Sequence, residues 1–247
     1  MKRSFLFLGL LISLILSLTC CVKASLNIAS PDTAAVSHLE NSTVALVRQG
    51  RFGDYYTYCS GVWVSDYYIV TARHCVADDD TDEVTKGEKI SYTTFQMFNN
   101  EVPSEGPSKR LTAVVIADSE TSDLALLKSE DDTYHQIAGV NPMEPIQVGS
   151  PVAIMGHTSG LEYTYMTGII SQVRVIDLRP LRKFHMKMLH VTSLAWHGNS
   201  GGGVYDEHGH LIGICSFLMR STPGMSFFIH RDEVVKLLRV NNVPFSD

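Results

Sequence analysis

Hydrophobic positions along the chain fall in short runs separated by turn-forming residues. Six runs rich in β-branched, aromatic or alternating residues predict strands at Val44–Arg48, Tyr58–Val64, Tyr68–Thr71, Ile90–Phe98, Leu111–Ala117 and Leu124–Lys128. A polar, proline-containing stretch at Ser129–Pro145 interrupts the pattern. It resumes at Pro151–Met155, Gly168–Ile176, Lys187–Val191, Gly202–Tyr205, Leu211–Leu218 and Ser226–Ile229. Only the tail changes period. Over His230–Val240, Val234, Val235, Leu237 and Leu238 share one helical face, and Asp232 and Glu233 sit in the first turn, where the helix dipole favours acidic groups. Strands without intervening helices predict an all-β protein rather than a parallel βαβ sheet. The expected architecture is two tandem six-stranded antiparallel β-barrels, at about residues 40–130 and 146–229, with a C-terminal α-helix at about 230–240.

Composition changes the picture at one end of the chain. With 247 residues, 45% hydrophobic and 19% charged, there is enough apolar material for a packed core. Met1-Lys2-Arg3 precedes Phe5–Leu18, which contains only Phe, Leu, Ile, Gly and Ser, and Val22-Lys23-Ala24 follows. Charge, apolar stretch and small residues at −3 and −1 read as a signal peptide, residues 1–24, cut before Ser25. The apolar stretch is shorter than the ~20 residues of a spanning helix. Two alternatives remain open: an uncleaved anchor running through Val22, or a lipid on Cys20 or Cys21. Membrane association is expected only by those two routes, and all three readings place the folded part outside the cytosol, secreted or in the cell envelope.

The chain carries 20 Lys+Arg against 26 Asp+Glu, a net of −6. Loss of Lys2, Arg3 and Lys23 with the signal makes this 17 against 26, or −9. Without a basic run, such a chain has no electrostatic footprint for nucleic acid. The five Cys show no paired C-x-x-C spacing, and the ten His lack the helical His-Glu signature of zinc proteases, so no metal and no cofactor is expected. Asp206-Glu207-His208-Gly209-His210 reads as a polar hairpin turn, and Asp78–Glu83 as a solvated loop.

Three segments carry chemistry. Thr71-Ala72-Arg73-His74-Cys75 follows an apolar strand, Ser122-Asp123-Leu124-Ala125-Leu126-Leu127 opens one with an aspartate, and Gly198-Asn199-Ser200-Gly201-Gly202-Gly203 is a glycine-rich turn with one serine. A serine hydroxyl is a weak nucleophile until a base takes its proton, and histidine titrates near neutrality. The imidazole in turn needs a carboxylate to fix its tautomer. Glycines beside the serine let backbone N–H groups meet a developing oxyanion.

In this order the segments resemble the trypsin-like serine protease superfamily, over roughly Val44 to Ile229. The resemblance implies a chymotrypsin-like fold and a serine endopeptidase that hydrolyses protein or peptide substrates through an acyl-enzyme. Its catalytic residues would be His74 as base, Asp123 as orienting acid and Ser200 as nucleophile, with the N–H groups of Gly198 and Ser200 as the oxyanion hole. It also implies a disulfide between Cys59 and Cys75, and a contact between Ser216 and the Asp123 carboxylate. Cys215, left over in an apolar strand, reads as a buried, inert thiol.

Asn199 stands where the digestive branch has an aspartate that pairs with a newly cut N-terminus. Gly-Asn-Ser-Gly-Gly is similar instead to the HtrA/Deg-like and glutamyl-endopeptidase-like branches, as is Thr167-Gly168-Ile169-Ile170-Ser171 to the HtrA pattern. Val191-Thr192-Ser193-Leu194 departs from the Thr-Asp-Ala usual in HtrA proteins, and the 47 residues after Ser200 leave no room for a PDZ domain. By resemblance the substrate pocket is formed by Leu194, Ala195, His197, Ser216 and Leu218, which suits an apolar P1 residue. The competing reading is a catalytically silent protein of the same fold that binds rather than cleaves. An esterase of α/β-hydrolase type is disfavoured, because there histidine comes last in the chain order.

Overall fold

The computed structural model describes residues 31, 33–99, 110–140, 143–177, 184–218 and 224–246. Residues 1–24, read as a signal peptide, lie outside them. The first of two closed barrels is built from β1 (Thr43–Gln49), β2 (Tyr55–Ser65), β3 (Tyr68–Ala72), β4 (Lys89–Thr94), β5 (Leu111–Ser119) and β6 (Leu124–Ser129), joined in the order β1-β2-β3-β6-β5-β4. The second uses β7 (Pro151–Thr158), β8 (Leu161–Asp177), β9 (His185–Thr192), β10 (Gly203–Tyr205), β11 (Leu211–Leu218) and β12 (Met225–His230), in the order β10-β11-β12-β9-β8-β7. Every strand pairing is antiparallel. Among the described residues, no helix is long and apolar enough to cross a membrane.

Alternation explains why some strands read as unbroken apolar runs. Along β6, Ala125 and Leu127 enter the first barrel's interior beside Trp63 and Ile69, while Leu124 and Leu126 face a cluster shared with Met155, Tyr205 and Ile229 of the second barrel. Strand β7 does the same in mirror fashion: Val152 and Ile154 point into its own barrel, Ala153 and Met155 into the seam. A strand buried on both faces has no polar face to show. Strand β5, on the outside, alternates buried and half-buried residues over Leu111–Ala117.

The tail helix is the α-helix Arg231–Val240, capped by His230, whose Nδ1 accepts the Asp232 N–H at 3.1 Å. Val234, Val235, Leu237 and Leu238 are buried against the seam cluster. Two shorter helices, Thr33–Asn41 and Phe95–Asn99, were not expected. The second is a correction: the strand predicted over Ile90–Phe98 stops at Thr94, and Phe95 turns across the seam to meet Tyr163 edge-to-face at 5.0 Å. Strand β8 begins at Leu161, not Gly168. Its hairpin with β7 turns on Ser159 (φ 52°) and Gly160 (φ 78°), two consecutive left-handed residues that match the strand twist. The linker after β6 is stitched to both barrels, Ala138 N–H to the Trp63 carbonyl at 2.9 Å and Leu211 N–H to the Gly139 carbonyl at 2.7 Å. His135 stacks on Trp63 with ring centroids 3.9 Å apart.

Candidate active site

His74 sits in a single 3-10 turn, Arg73–Cys75, at the end of β3. A disulfide from Cys75 to Cys59 on β2 fixes this turn, with Cα atoms 6.1 Å apart. Closing a loop of that size stabilises the fold by about 3 kcal/mol in the chain-entropy account. Arg73 braces the turn from behind. Its side chain is buried, with Nε 3.0 Å from Asp118 Oδ2 and Nη1 2.9 Å from Asp82 Oδ1. The acidic loop is solvated as expected, its residues Asp78–Glu83 all exposed, and it is also tied to the turn. Asp82 anchors it to Arg73, and Asp78 Oδ1 accepts the N–H groups of Asp80 and Thr81.

Asp123 lies in the turn between β5 and β6 with a left-handed backbone, φ 50°. Its carbonyl accepts the Arg73 N–H at 2.9 Å. Oδ1 accepts the His74 backbone N–H at 3.0 Å, Oδ2 lies 2.9 Å from His74 Nδ1, and the Ser216 hydroxyl donates to Oδ2 at 2.5 Å. Burial opposes ionisation of this carboxyl, but the hydrogen bonds from His74 and Ser216 outweigh it and hold it below its usual range. An acceptor-only carboxylate fixes Nδ1 as the protonated ring nitrogen.

Ser200 comes from the loop between β9 and β10, which folds onto the first barrel. Ser60 N–H donates to the Ser200 carbonyl at 2.7 Å, and Ser60 Oγ donates to the Gly198 carbonyl at 2.8 Å. Gly198 (φ 94°) and Gly201 (φ 85°) are left-handed, and a Cβ on either would strike a backbone carbonyl, His157's or Ser60's. The Asn199 side chain is buried and donates to Thr158 Oγ1 at 2.7 Å, so a neutral amide supports the loop from below. The Ser200 hydroxyl donates to the Ser216 carbonyl at 3.3 Å. Ser216 thus touches both the nucleophile candidate and the carboxylate, and the three segments meet around it. Cys215, next to it, is buried and free, its thiol pushed up to about 12 by burial and by the nearby Asp123 charge.

An open groove of about 490 Å³ runs beside the loop, lined by Tyr165, Met166 and Thr167 of β8, by Thr192, Ser193 and Leu194, and by Gly224. Of the pocket residues expected from sequence, Leu194 lines this groove. Ala195 is packed in the second barrel's interior cluster, His197 is exposed beside Trp196, and Ser216 is buried beneath Asp123. The Leu218 side chain lies outside the described residues. Sequence reasoning missed Ser60 and Arg73, although both lie inside segments it singled out. Their signal is a partner far along the chain, Gly198 for one and Asp118 for the other, and no local pattern carries it.

A family model described as the trypsin-like peptidase domain matches residues 59–214. Serine protease HtrA-like proteins of Staphylococcus aureus, strains bovine RF122 and USA300 among them, are 29% identical over 183 residues. That covers 70% of this chain but 21% of each relative, so the chain spans about a fifth of the length of the curated relatives it matches. Among solved structures, a protease of M. tuberculosis in its active form superposes with TM-score 0.64 at 19% identity, covering 88% of this chain and 90% of that one. The HtrA-type protease AlgW with a tripeptide gives 0.64 at 22% identity, with 85% and 63% covered. A serine endoprotease from Yersinia pestis gives 0.62 at 22%, with 85% and 67% covered. At these identities the structures establish likeness of fold.

Proposed function

Because this chain belongs to the trypsin-like peptidase domain family, we propose that it is an extracytoplasmic serine endopeptidase in which Ser200 attacks the scissile carbonyl of a protein or peptide. His74 takes the hydroxyl proton through Nε2 and returns it to the leaving amine, and water then hydrolyses the acyl-enzyme by the same route. Asp123 holds Nδ1–H and stabilises the imidazolium without taking the proton. The N–H groups of Gly198 and Ser200 receive the oxyanion, and Ser60, clamping the Gly198 carbonyl, keeps that loop in place. Every step is carried by side chains and backbone, without a metal or cofactor. Asn199 is supported by Thr158, and as a neutral amide it cannot form the ion pair that a newly cut N-terminus makes in the digestive branch.

One observation carries this reading most: the Asp123 carboxylate, below its ordinary range, is bonded at once to His74 Nδ1 and to Ser216, whose carbonyl accepts from Ser200. Leu194, Met166 and Tyr165 in the groove lining suit an apolar P1 side chain, and among the described residues that line it none is charged. The second reading, a silent binding protein, draws on the Ser200 hydroxyl being turned to the Ser216 carbonyl. A fluorophosphonate probe separates the two. Covalent labelling lost in Ser200→Ala is expected, and a folded protein that stays unlabelled would end the peptidase reading. A cleavage profile dominated by Arg, Lys or Glu at P1 would end the apolar-pocket reading alone.

A further inference from the structure

The β10–β11 hairpin and the inter-barrel linker come together away from Ser200, at a cluster of four side chains. Asp206, His208 and His210 stand on the hairpin and Glu144 on the linker. His210 Nδ1 lies 3.4 Å from Asp206 Oδ2 and 3.8 Å from Glu144 Oε2, and His208 Nε2 lies 3.5 Å from Glu144 Oε1. These separations exceed a good N–H···O bond, ~2.7–3.2 Å. His210 Nδ1 is buried and, among the described residues, has no hydrogen-bond partner. An unpaired buried nitrogen facing two carboxylates is costly unless something stands between them.

The distances have another meaning. A tetrahedral ion with bonds of ~2.0–2.1 Å holds its ligand atoms roughly 3.3–3.4 Å apart. The ligand atoms of Glu144, Asp206 and His210 all lie within 4.8 Å of one another, with the His210–Asp206 pair at 3.4 Å and the His210–Glu144 pair at 3.8 Å. The supporting shell is also present. Asp206 Oδ1 accepts the N–H groups of His208 and His210, both at 2.9 Å, which turns Oδ2 toward the cluster. Arg231, buried at the start of the tail helix, feels the charge of Asp206 and Glu144, yet its Nε and Nη1 make no hydrogen bond among the described residues. Two carboxylates against one guanidinium leave a net negative charge among these three groups.

From this geometry we infer that Glu144, Asp206 and His210 form a structural site for a divalent cation of Zn²⁺ type. Mixed imidazole and carboxylate ligands select zinc over calcium or magnesium. The ion would fasten the linker to the second barrel, beside the bond from Leu211 N–H to the Gly139 carbonyl. It takes no part in the proposed peptide hydrolysis, and its test is independent of that reading. The hairpin alone reads as a polar turn; only the fold brings Glu144 to it.

Chelator-treated full chain should be titrated with Co²⁺ as a spectroscopic probe and with Zn²⁺. The expected result is the intense visible absorption of tetrahedral cobalt, saturating at one equivalent, displaced by Zn²⁺, with a higher melting temperature in Zn²⁺ than in chelator. Glu144→Gln and His210→Gln should each lose the absorption and the zinc-dependent shift. Glu144→Gln keeps the side-chain size, and comparing its melting with the parent's in chelator separates lost ligation from lost folding. Absence of saturable binding, a weak octahedral spectrum, or binding unchanged in both variants would overturn the inference. So would binding that disappears in His74→Ala, because it places the ion at the catalytic cleft.

Discussion

In the first barrel, the groups that reach the cleft are held by covalent and ionic restraint: His74 by the Cys59–Cys75 disulfide and by Arg73, itself paired to Asp82 and Asp118. In the second, among the described residues, the Ser200 loop is held by neutral hydrogen bonds, from Asn199 to Thr158, from Gly201 N–H to the Cys215 carbonyl, and from Ser60, a residue of the other barrel. The proposed base and the proposed nucleophile are therefore each held largely by their own barrel and joined by contacts across the seam, Ser216 to Asp123 and Ser60 to the Ser200 loop. Activity should respond to disturbance of the seam more sharply than overall stability does.

The largest expected effect sharpens the first half of this contrast. Asp123→Asn keeps the shape of the site but removes the acceptor that fixes the His74 tautomer, and kcat should fall by about 10⁴-fold. Steady-state kinetics with a peptide substrate check this, and melting should change little by comparison. Reduction of Cys59–Cys75, or its replacement by serines, should cost about 3 kcal/mol in denaturant melts. It should lower activity further, by loosening the turn that carries His74.

Acid should separate the two barrels. His157 on β7 is wholly buried at the seam, its Nδ1 accepts the Tyr163 N–H at 3.0 Å, and burial pushes it down from 6.5 to about 4. Between those values the unfolded chain takes up a proton that the folded chain refuses. Stability fully present above about 6.5 should thus decline as pH falls toward about 4, by on the order of 3 kcal/mol. The Asp123 carboxyl, held below its ordinary range, has the same sign in a more acidic window: what it contributes is lost as pH falls below the ordinary carboxylate range. Urea melts across the window should show the slope, and His157→Phe should reduce it, with His230, also pushed down to about 4 by burial, keeping part of it. The smallest effect tests the seam directly. Ser60→Ala removes one hydrogen bond worth about 1 kcal/mol, so kcat should drop roughly fivefold with KM little changed. An unchanged kcat would mean the loop holds its shape unaided.

Much of this was legible in local pattern. Period-two runs located the strands, and the reversal of period at His230 located the tail helix with its acidic first turn. The segments around His74, Asp123 and Ser200 stand out because each couples an unusual residue to a strand end or a glycine turn. What escaped depends on distant partners. Phe95 leaves its strand because Tyr163 waits across the seam, and no window around residue 95 contains that ring. Ser60, Arg73 and Glu144 look ordinary until the fold delivers Gly198, Asp118 and His210 to them. The early start of β8 was hidden by a turn of Ser159 and Gly160, where a non-glycine residue adopts a glycine-like backbone.

The linker that runs from β6 to β7 is bonded along its length, to Asn41, Trp63, Leu211 and Ser246 in turn. It is sewn down like the spine of a book whose covers do not open. On the proposed peptidase reading, these bonds tie together the two walls between which a substrate must lie, so an extended segment of polypeptide is expected to enter and a compact target to unfold locally first.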